Sequence, residues 1–499
     1  MKLAAVDLGA SGGRVLIGQL TEGAGGARLS MDEVHRFPHG PLYLPHDGGQ
    51  TLHWDVPHLW NEILTGLRKC GRQHGRPDSI GIDAWGVDFA LLDRNGALLA
   101  NPIAYRDSYT NGMVEKVCER VSRDELFRRT GLQFMQINSL FQLMALKERN
   151  WPALPLVDRF LMIPDLFHYW LCGTKSVEYT IGSTSQMVGA ETRDWDLELL
   201  QQIGISPSFL PPIVQPGTNL GSLRPSVAEE IGLSTDVSII CPPGHDTAAA
   251  VVATPGEGRD WAFLSAGTWC LFGAEVQSPR LDPSVLEAGF GNEGGVQGSH
   301  RLLRNITGLW LVQECRRFWV AEGSEYSYAE LAHQAAKAQP FVAMIDPDHP
   351  TFSQPTQMPR AIADYCGRTG QRRPNSVGEI VRVALEGIAF TVRLRWEQLQ
   401  QMLGRELRVL HIVGGGTQNT LLCQLVSDAL GCPVLAGPTE ATAMGNALVQ
   451  AVGHGVIDYP EARKVVRRSS ELREYLPRDT AAWQDAYARF VQLCHPEAR

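Results

Sequence analysis

The chain has 499 residues, 44% hydrophobic and 20% charged, the composition of a globular protein long enough for two to four domains at about 100–200 residues each. Against 45 basic residues stand 54 acidic ones, a formal charge of −9, which excludes a general nucleic-acid or anionic-membrane surface. An anionic substrate needs a local site instead. No apolar run reaches the roughly 18 residues of a spanning helix, and the N-terminal run is broken by Asp7, unlike a secretory signal. The ten cysteines contain no CxxC pair. A chain of this size needs no covalent staples, so reduced thiols and a cytoplasmic location are expected.

In chain order, Leu3–Val6 is a short apolar run, followed by Asp7, the small-residue turn Gly9-Ala10-Ser11-Gly12-Gly13, Arg14 and a second run at Val15–Ile17. This reads as a hairpin. Leu59, Ile63, Leu64 and Leu67 repeat at helical spacing, and a second hairpin is expected over Ile80–Leu92, with Arg94-Asn95-Gly96 as a turn signal. Val237–Cys241 is strand-like, Pro242-Pro243-Gly244 forces a turn, and Asp246-Thr247 before an alanine run reads as a helix start. A domain boundary is placed just after, near Thr254–Asp260.

The opening form then recurs about 260 residues on: Trp261–Leu264, the turn Ser265-Ala266-Gly267-Thr268, and a second run at Trp269–Gly273. The recurrence suggests two similar α/β domains, 1–254 and 255–499. Ser376 and Glu379 form a capping-box pattern before a helix whose face carries Ile380, Ala384, Gly387, Ile388 and Thr391. Val409–Val413 is a strand leading through Gly414-Gly415-Gly416 into a helix. Trp483, Tyr487, Phe490, Val491 and Cys494 form a helical packing stripe.

Several motifs carry chemistry. GxxxxGK[ST] and HExxH are absent, which excludes a P-loop and a zincin site. Gly289–Gly294 fits GxGxxG, but no apolar strand leads in and no helix pattern follows, so it is not a dinucleotide fingerprint. Gly9–Gly13 fits GxSxG, yet a strand follows where a nucleophile elbow needs a helix. Its backbone N–H groups suit anionic oxygens better. Asp7 can hold Mg²⁺ through water or cap the turn. Asp246 can be a helix N-cap or a base for a hydroxyl attacking a phosphoryl group. Three glycines at 414–416 either admit a flat ligand or form a strand-to-helix turn. Trp85, Trp269 and Trp310 are each expected in the core rather than as sugar platforms.

Together, Ala5-Val6-Asp7-Leu8-Gly9-Ala10, Gly81-Ile82-Asp83, His245-Asp246-Thr247-Ala248, Gly267-Thr268-Trp269 and Gly414-Gly415-Gly416 with Gln418-Asn419 resemble the FGGY carbohydrate kinases, of the sugar kinase, Hsp70 and actin superfamily. The motifs keep the family's order over roughly residues 1–455. Within the family, Asp83-Ala84-Trp85-Gly86-Val87-Asp88, Ala104–Asp107, Glu178-Tyr179-Thr180, Asn292–Gly295 and Arg304–Trp310 are most similar to the kinases that act on L-rhamnulose.

The resemblance implies two ribonuclease H-like α/β domains with a catalytic cleft between them, the first binding sugar and carrying the base, the second binding ATP. It implies ATP-dependent phosphorylation of L-rhamnulose at its 1-hydroxyl, with Mg²⁺ accompanying ATP. The alternative is another ketose kinase, acting on L-fuculose or xylulose. By position, Asp246 is the general base. Ala10, Ser11, Gly12, Gly13, Arg14, Gly86, His245, Asp246, Thr247 and Asn305 are sugar-site residues. Thr268, Gln313 and Gly415 are ATP contacts, and Asp7 is the Mg²⁺-associated aspartate. The implied partners are the two small-molecule substrates, with no nucleic acid and no membrane, in a monomer or homodimer. Gly12, Gly244, Ala84 and Ala266 depart from the family pattern at small positions near the site, which bears on sugar preference rather than reaction type. A non-catalytic sugar sensor usually adds a DNA-binding helix-turn-helix. Its absence here, and the retained Asp246, oppose that reading.

Overall fold

The computed structural model describes residues 1–353 and 355–494. The chain forms two compact units. The first change of unit falls between Ala253 and Thr254, but the division is not a single cut. Glu275–Leu302 and Ala441–Ser469 pack with the first unit, while Thr254–Ala274, Leu303–Glu440 and the chain from Ser470 make the second.

In the first unit, β1 (Lys2–Gly9), β2 (Gly12–Thr21), β3 (Arg28–Pro38), β4 (Ser79–Ala84), β5 (Asn219–Ser222) and β6 (Ser238–Ile240) form one sheet in the order β5-β6-β4-β1-β2-β3. The expected hairpin at the N-terminus is β1–β2, antiparallel and closed by Gly9 opposite Gly12. β1 runs parallel to β4, and β4 parallel to β6. A strand flanked on both edges and both faces reads as a continuous apolar run, and Leu3, Ala4, Ala5 and Val6 are fully buried. The helix Val56–His74 covers the sheet through Leu59, Ile63, Leu64 and Leu67. Asp55 caps its N-terminus by accepting from His58 N–H.

The hairpin expected over Ile80–Leu92 does not form. β4 takes parallel partners within the sheet, while Phe89–Leu92 pairs antiparallel with Arg159–Met162. The turn at 94–96 exists, held by Asp93 Oδ1 accepting from Asn95 and Ala97 N–H, but it returns the chain only as far as a single Leu92–Leu98 bridge.

The second unit is built on β7 (Trp261–Ala266), β8 (Trp269–Val276), β9 (His300–Thr307), β10 (Val409–Val413), β11 (Val434–Ala436) and β12 (Arg473–Tyr475), in the order β9-β8-β7-β10-β11-β12, with Glu275–Val276 of β8 and His300–Leu302 of β9 belonging to the first unit. β7–β8 is the second expected hairpin. β7 is parallel to β10, β10 to β11, and β12 closes antiparallel on β11. The senses from β12 through to β8 repeat those from β5 through to β2 in the first sheet, which gives the duplication a topological form. The helix Val377–Leu403 begins at Ser376, which accepts from Glu379 N–H at 3.2 Å. The reciprocal half of the capping box is displaced by one residue, because Glu379 accepts from Asn375 N–H instead.

The return of residues 441–469 to the first unit has a polar cause. The helix Ala441–Gly453 lies against β1 and β4 and supplies partners for groups buried there. Gln450 accepts from Ser79 Oγ at 2.7 Å and donates to Ala4 O, and Asn446 donates to Gly81 O and, at 2.6 Å, to Asp83 Oδ2. The same helix crosses Asp246–Val252 closely enough that a Cβ at Gly445 would collide with the Ala249 carbonyl. Gly445→Ala is therefore expected to cost about 1–3 kcal/mol through overpacking against backbone, read as a lower denaturation midpoint in urea.

Candidate active site

The loop before helix Asp246–Val252 is fixed by a buried carboxylate. Glu178 Oε2 accepts from Gly244 N–H at 2.8 Å, Thr180 Oγ at 2.6 Å and Ile181 N–H at 3.0 Å, and its Oε1 accepts from Thr180 N–H. On the other side, Ala84 N–H donates to Gly244 O. The end of β4 and the turn at 244–245 therefore share one register, which delivers His245 beside Gly86. A Cβ on Gly86 would lie 3.2 Å from His245 Nε2.

Asp246 is the first residue of its helix and not the N-cap, a position held by His245. Its Oδ1 accepts from Thr247 N–H at 2.5 Å and Thr247 Oγ at 3.1 Å, and lies 3.4 Å from His245 Nε2. Among the described residues Oδ2 accepts no hydrogen bond, and the side chain remains 30% exposed. Desolvation raises its pKa, with repulsion from Asp7 adding to the rise and His245 opposing it. The site thus presents an accessible carboxylate oxygen with enhanced basicity.

Asp7 lies opposite Arg14 in the β1–β2 register and beside Asp83 in the β1–β4 register, and is ion-paired to Arg14. Asp83 is fully buried. Burial first, and then repulsion from Asp7, hold its carboxyl well above the ordinary range. Its Oδ1 has no hydrogen-bond partner among the described residues. Ala10 and Ser11 form the hairpin turn, and Gly12 and Gly13 open β2. The sequence-expected residues Asp7, Ala10–Arg14, Gly86 and His245–Thr247 therefore all belong to the first unit.

A second group assembles in the second unit. Thr268 lies in the β7–β8 turn, whose Gly267 and Thr268 carbonyls accept from Leu309 and Trp310 N–H. Those bonds start the helix Trp310–Ala321, which carries Gln313 in its first turn. The glycine run packs on the end of β7: Gly414 has φ +84° and a Cβ on Gly416 would collide with Ala266. Gly415, between them, faces open space and needs no glycine for packing. Asn305, on β9, is also in this unit and not with the other expected sugar-site residues.

Of the three tryptophans expected in the core, Trp85 is buried against Trp54 and donates to Asp88 at 3.0 Å, while Trp310 is only half-buried and donates to Phe352 O. Trp269 is 40% exposed, because its register on a hairpin turns the ring outward.

The sequence marks Glu178 and Glu293 only as members of family-like segments and gives neither a role; it does not mark Arg301, which with Glu293 makes a buried pair beside His245. Glu293 Oε2 lies 3.1 Å from His245 Nδ1 and 3.0 Å from Arg301 Nη2. Burial opposes its charge, but Arg301 and His245 overcome that and hold its carboxyl below the usual range. Glu293 stands inside the GxGxxG-like run, whose residues Gly291–Gly294 form a buried strand.

Among the described residues, Asp165, His168 and Cys241 make a separate buried cluster with ligating atoms within 4.8 Å of one another. His168 Nε2 accepts from Ile82 N–H at 3.0 Å, so the neutral ring carries its proton on Nδ1 and has no lone pair left for a metal. Among the described residues no helix is long and apolar enough to cross a membrane, and the ten cysteines are free thiols.

The N-terminal domain model of the FGGY family of carbohydrate kinases matches residues 4–253, and the C-terminal domain model matches 262–454. A rhamnulokinase of Bacteroides thetaiotaomicron is 42% identical over 97% of this chain and 98% of its own. One from Halalkalibacterium halodurans is 38% identical over 95% and 98%. Among solved structures, ligand-bound xylulose kinase from Lactobacillus acidophilus shares the fold at TM-score 0.79 and 16% identity, covering 100% of this chain and 98% of that one. Xylulose kinase from Rhodospirillum rubrum does so at 0.78 and 19%, covering 99% and 98%.

Glu178→Gln should lower stability by about 1–3 kcal/mol, since an amide NH₂ would face donors that now share a carboxylate. Urea titration measures the loss. An unchanged midpoint would show that Glu178 does not brace the loop.

Proposed function

The chain belongs to the FGGY family of carbohydrate kinases, and from that premise we propose that it transfers the γ-phosphoryl group of ATP to the 1-hydroxyl of L-rhamnulose, giving L-rhamnulose 1-phosphate in L-rhamnose catabolism. Full-length similarity to rhamnulokinases at 36–42% identity supports the substrate. The xylulose kinases are alike in fold at less than 20% identity, which gives the alternative ketoses no comparable support.

The observation that carries the mechanism is Asp246, with Oδ1 engaged by Thr247 and facing His245 while Oδ2 is open. A ketose hydroxyl is a poor nucleophile at neutral pH. In the proposed step its oxygen bonds to the γ-phosphorus as the bridge to ADP breaks, and its proton passes to Asp246 Oδ2. Ala10, Ser11, Gly12, Gly13, Arg14, Gly86, His245, Thr247 and Asn305 are assigned to the sugar, and Thr268, Gln313 and Gly415 to ATP. The first domain, 1–254, then carries the base and most of the sugar contacts, and 255–499 the nucleotide.

A divalent cation, Mg²⁺ in this reading, fits beside Asp7, where the orphaned Asp83 Oδ1 offers a second oxygen. When bound it would neutralise phosphate charge. Asp7 is itself tied to Arg14, which holds its carboxylate in place. The free thiols fit a cytoplasmic enzyme.

Asp246→Asn should retain the fold and sugar binding while kcat falls by about 10²–10⁴, the range for losing a general base. Near-wild-type turnover would remove Asp246 from the mechanism. In the wild type, kcat should fall on the acid side as Asp246 protonates, and the fall should begin at a higher pH than an ordinary carboxylate gives, because its pKa is raised.

The substrate is tested with a ketose panel in a coupled ATPase assay, the product being identified by phosphorus NMR. L-rhamnulose should be best. Discrimination against L-fuculose should be weak, because Gly12 removes one hydroxyl that the usual turn offers the sugar. A Cβ there would meet only the Phe37 carbonyl at an ordinary 3.4 Å, and its φ lies outside the left-handed region. Gly12→Ser should therefore fold normally and sharpen the preference by about 5–100-fold, the worth of one buried hydrogen bond. A wild-type preference for L-fuculose would sink the substrate while leaving the kinase.

A further inference from the structure

We propose that Glu293 and Arg301 are positioning residues for phosphoryl transfer: they set the tautomer and ring orientation of His245 so that its Nε2–H faces Asp246 Oδ1. The proposal rests on Asp246 being the base. Arg301 is 1% exposed at its side chain. Its Nε donates to Gly294 O at 2.9 Å, which leaves Nη2 3.2 Å from His245 Nδ1 and 3.0 Å from Glu293 Oε2. A guanidinium has donors only. With Nδ1 accepting from Arg301, the neutral imidazole carries its proton on Nε2. That atom lies 3.4 Å from Asp246 Oδ1, and a carboxylate oxygen can only accept. Glu293 Oε2 also lies 3.1 Å from Nδ1 but makes no hydrogen bond to the ring, so the Arg301 N–H is the group that Nδ1 meets.

Glu293 completes the arrangement. An arginine buried to this degree needs a counter-charge, and the Glu293 carboxylate, 10% exposed at its side chain, supplies it while also bordering Nδ1. The three side chains come from separate places in the sequence: the helix N-cap at His245, the short strand Gly291–Gly294, and β9. A partner that fixes a catalytic histidine is a familiar device. Here the histidine orients a carboxylate: Oδ1 accepts from Thr247 and faces His245 Nε2 at 3.4 Å, which leaves Oδ2 as the oxygen that receives the proton.

A double-mutant cycle tests the idea. Glu293→Gln and His245→Gln should each lower kcat by about 10–100-fold, the range for losing an orienting partner, with the ketose KM rising no more in Glu293→Gln than in His245→Gln, since Glu293 reaches the sugar only through His245. The double variant should be no slower than His245→Gln alone, because Glu293 acts only through His245. Multiplicative losses, or a Glu293→Gln effect confined to KM, would overturn the proposal. Should Glu293→Gln not fold, Glu293→Asp keeps the counter-charge but withdraws it from Nδ1, and the same cycle with His245→Gln should again be non-additive. Asp246→Asn in the same assay separates the two readings. Retained turnover there removes the base itself, whereas lost turnover there with multiplicative losses in the cycle removes only the positioning role of Glu293.

Discussion

The buried carboxylate of Glu178 is the constraint on which the rest of the site depends. It collects four donors from two segments, Thr180–Ile181 and Gly244, and takes no solvent. A charge in such a place is tolerable only when every lone pair is used. That requirement makes the 244–246 turn a fixed platform rather than a surface loop. His245 inherits its position from the turn, Asp246 begins its helix from it, and the pairing of Ala84 with Gly244 carries the same register into β4 and so to Asp83 and Gly86.

Local signals in the sequence were sufficient for the elements that form locally. β1–β2 and β7–β8 each join two apolar runs through small residues, and both are hairpins. The Pro-Pro-Gly turn and the start of the helix at Asp246 were equally legible. The Ile80–Leu92 hairpin failed because adjacent strands need not pair: β4 lies between β1 and β6, and Phe89–Leu92 pairs with Arg159–Met162. Trp269 failed for a related reason. A large aromatic side chain is usually buried, but register decides the face, and no single run reveals register against a distant neighbour.

The groups that tune the site were the least legible. Glu178 is 66 residues from the amide it holds at Gly244, and Arg301 is 56 from His245. Nothing in the spacing of charged residues marks a buried pair, because the signal lies in three-dimensional proximity. Glu293 sat inside a glycine pattern whose usual meaning was rightly set aside, and its own role was hidden by that pattern. Orphaned or compensated charges in the interior are found only by accounting for each buried polar atom.

The helix Ala441–Gly453 has a consequence for how the molecule is made. Asn446 and Gln450 supply hydrogen bonds to Ala4, Ser79, Gly81 and Asp83, all in the first 83 residues of the chain. A ribosome adding about 5–20 residues per second therefore emits the N-terminal sheet roughly 10–40 s before the segment that satisfies its interior. Until then the nascent sheet carries unmet polar groups on a face that is otherwise apolar. The N-terminal strands thus depend on a segment made long after them, and a chain released before residue 441 would lack the partners for those groups.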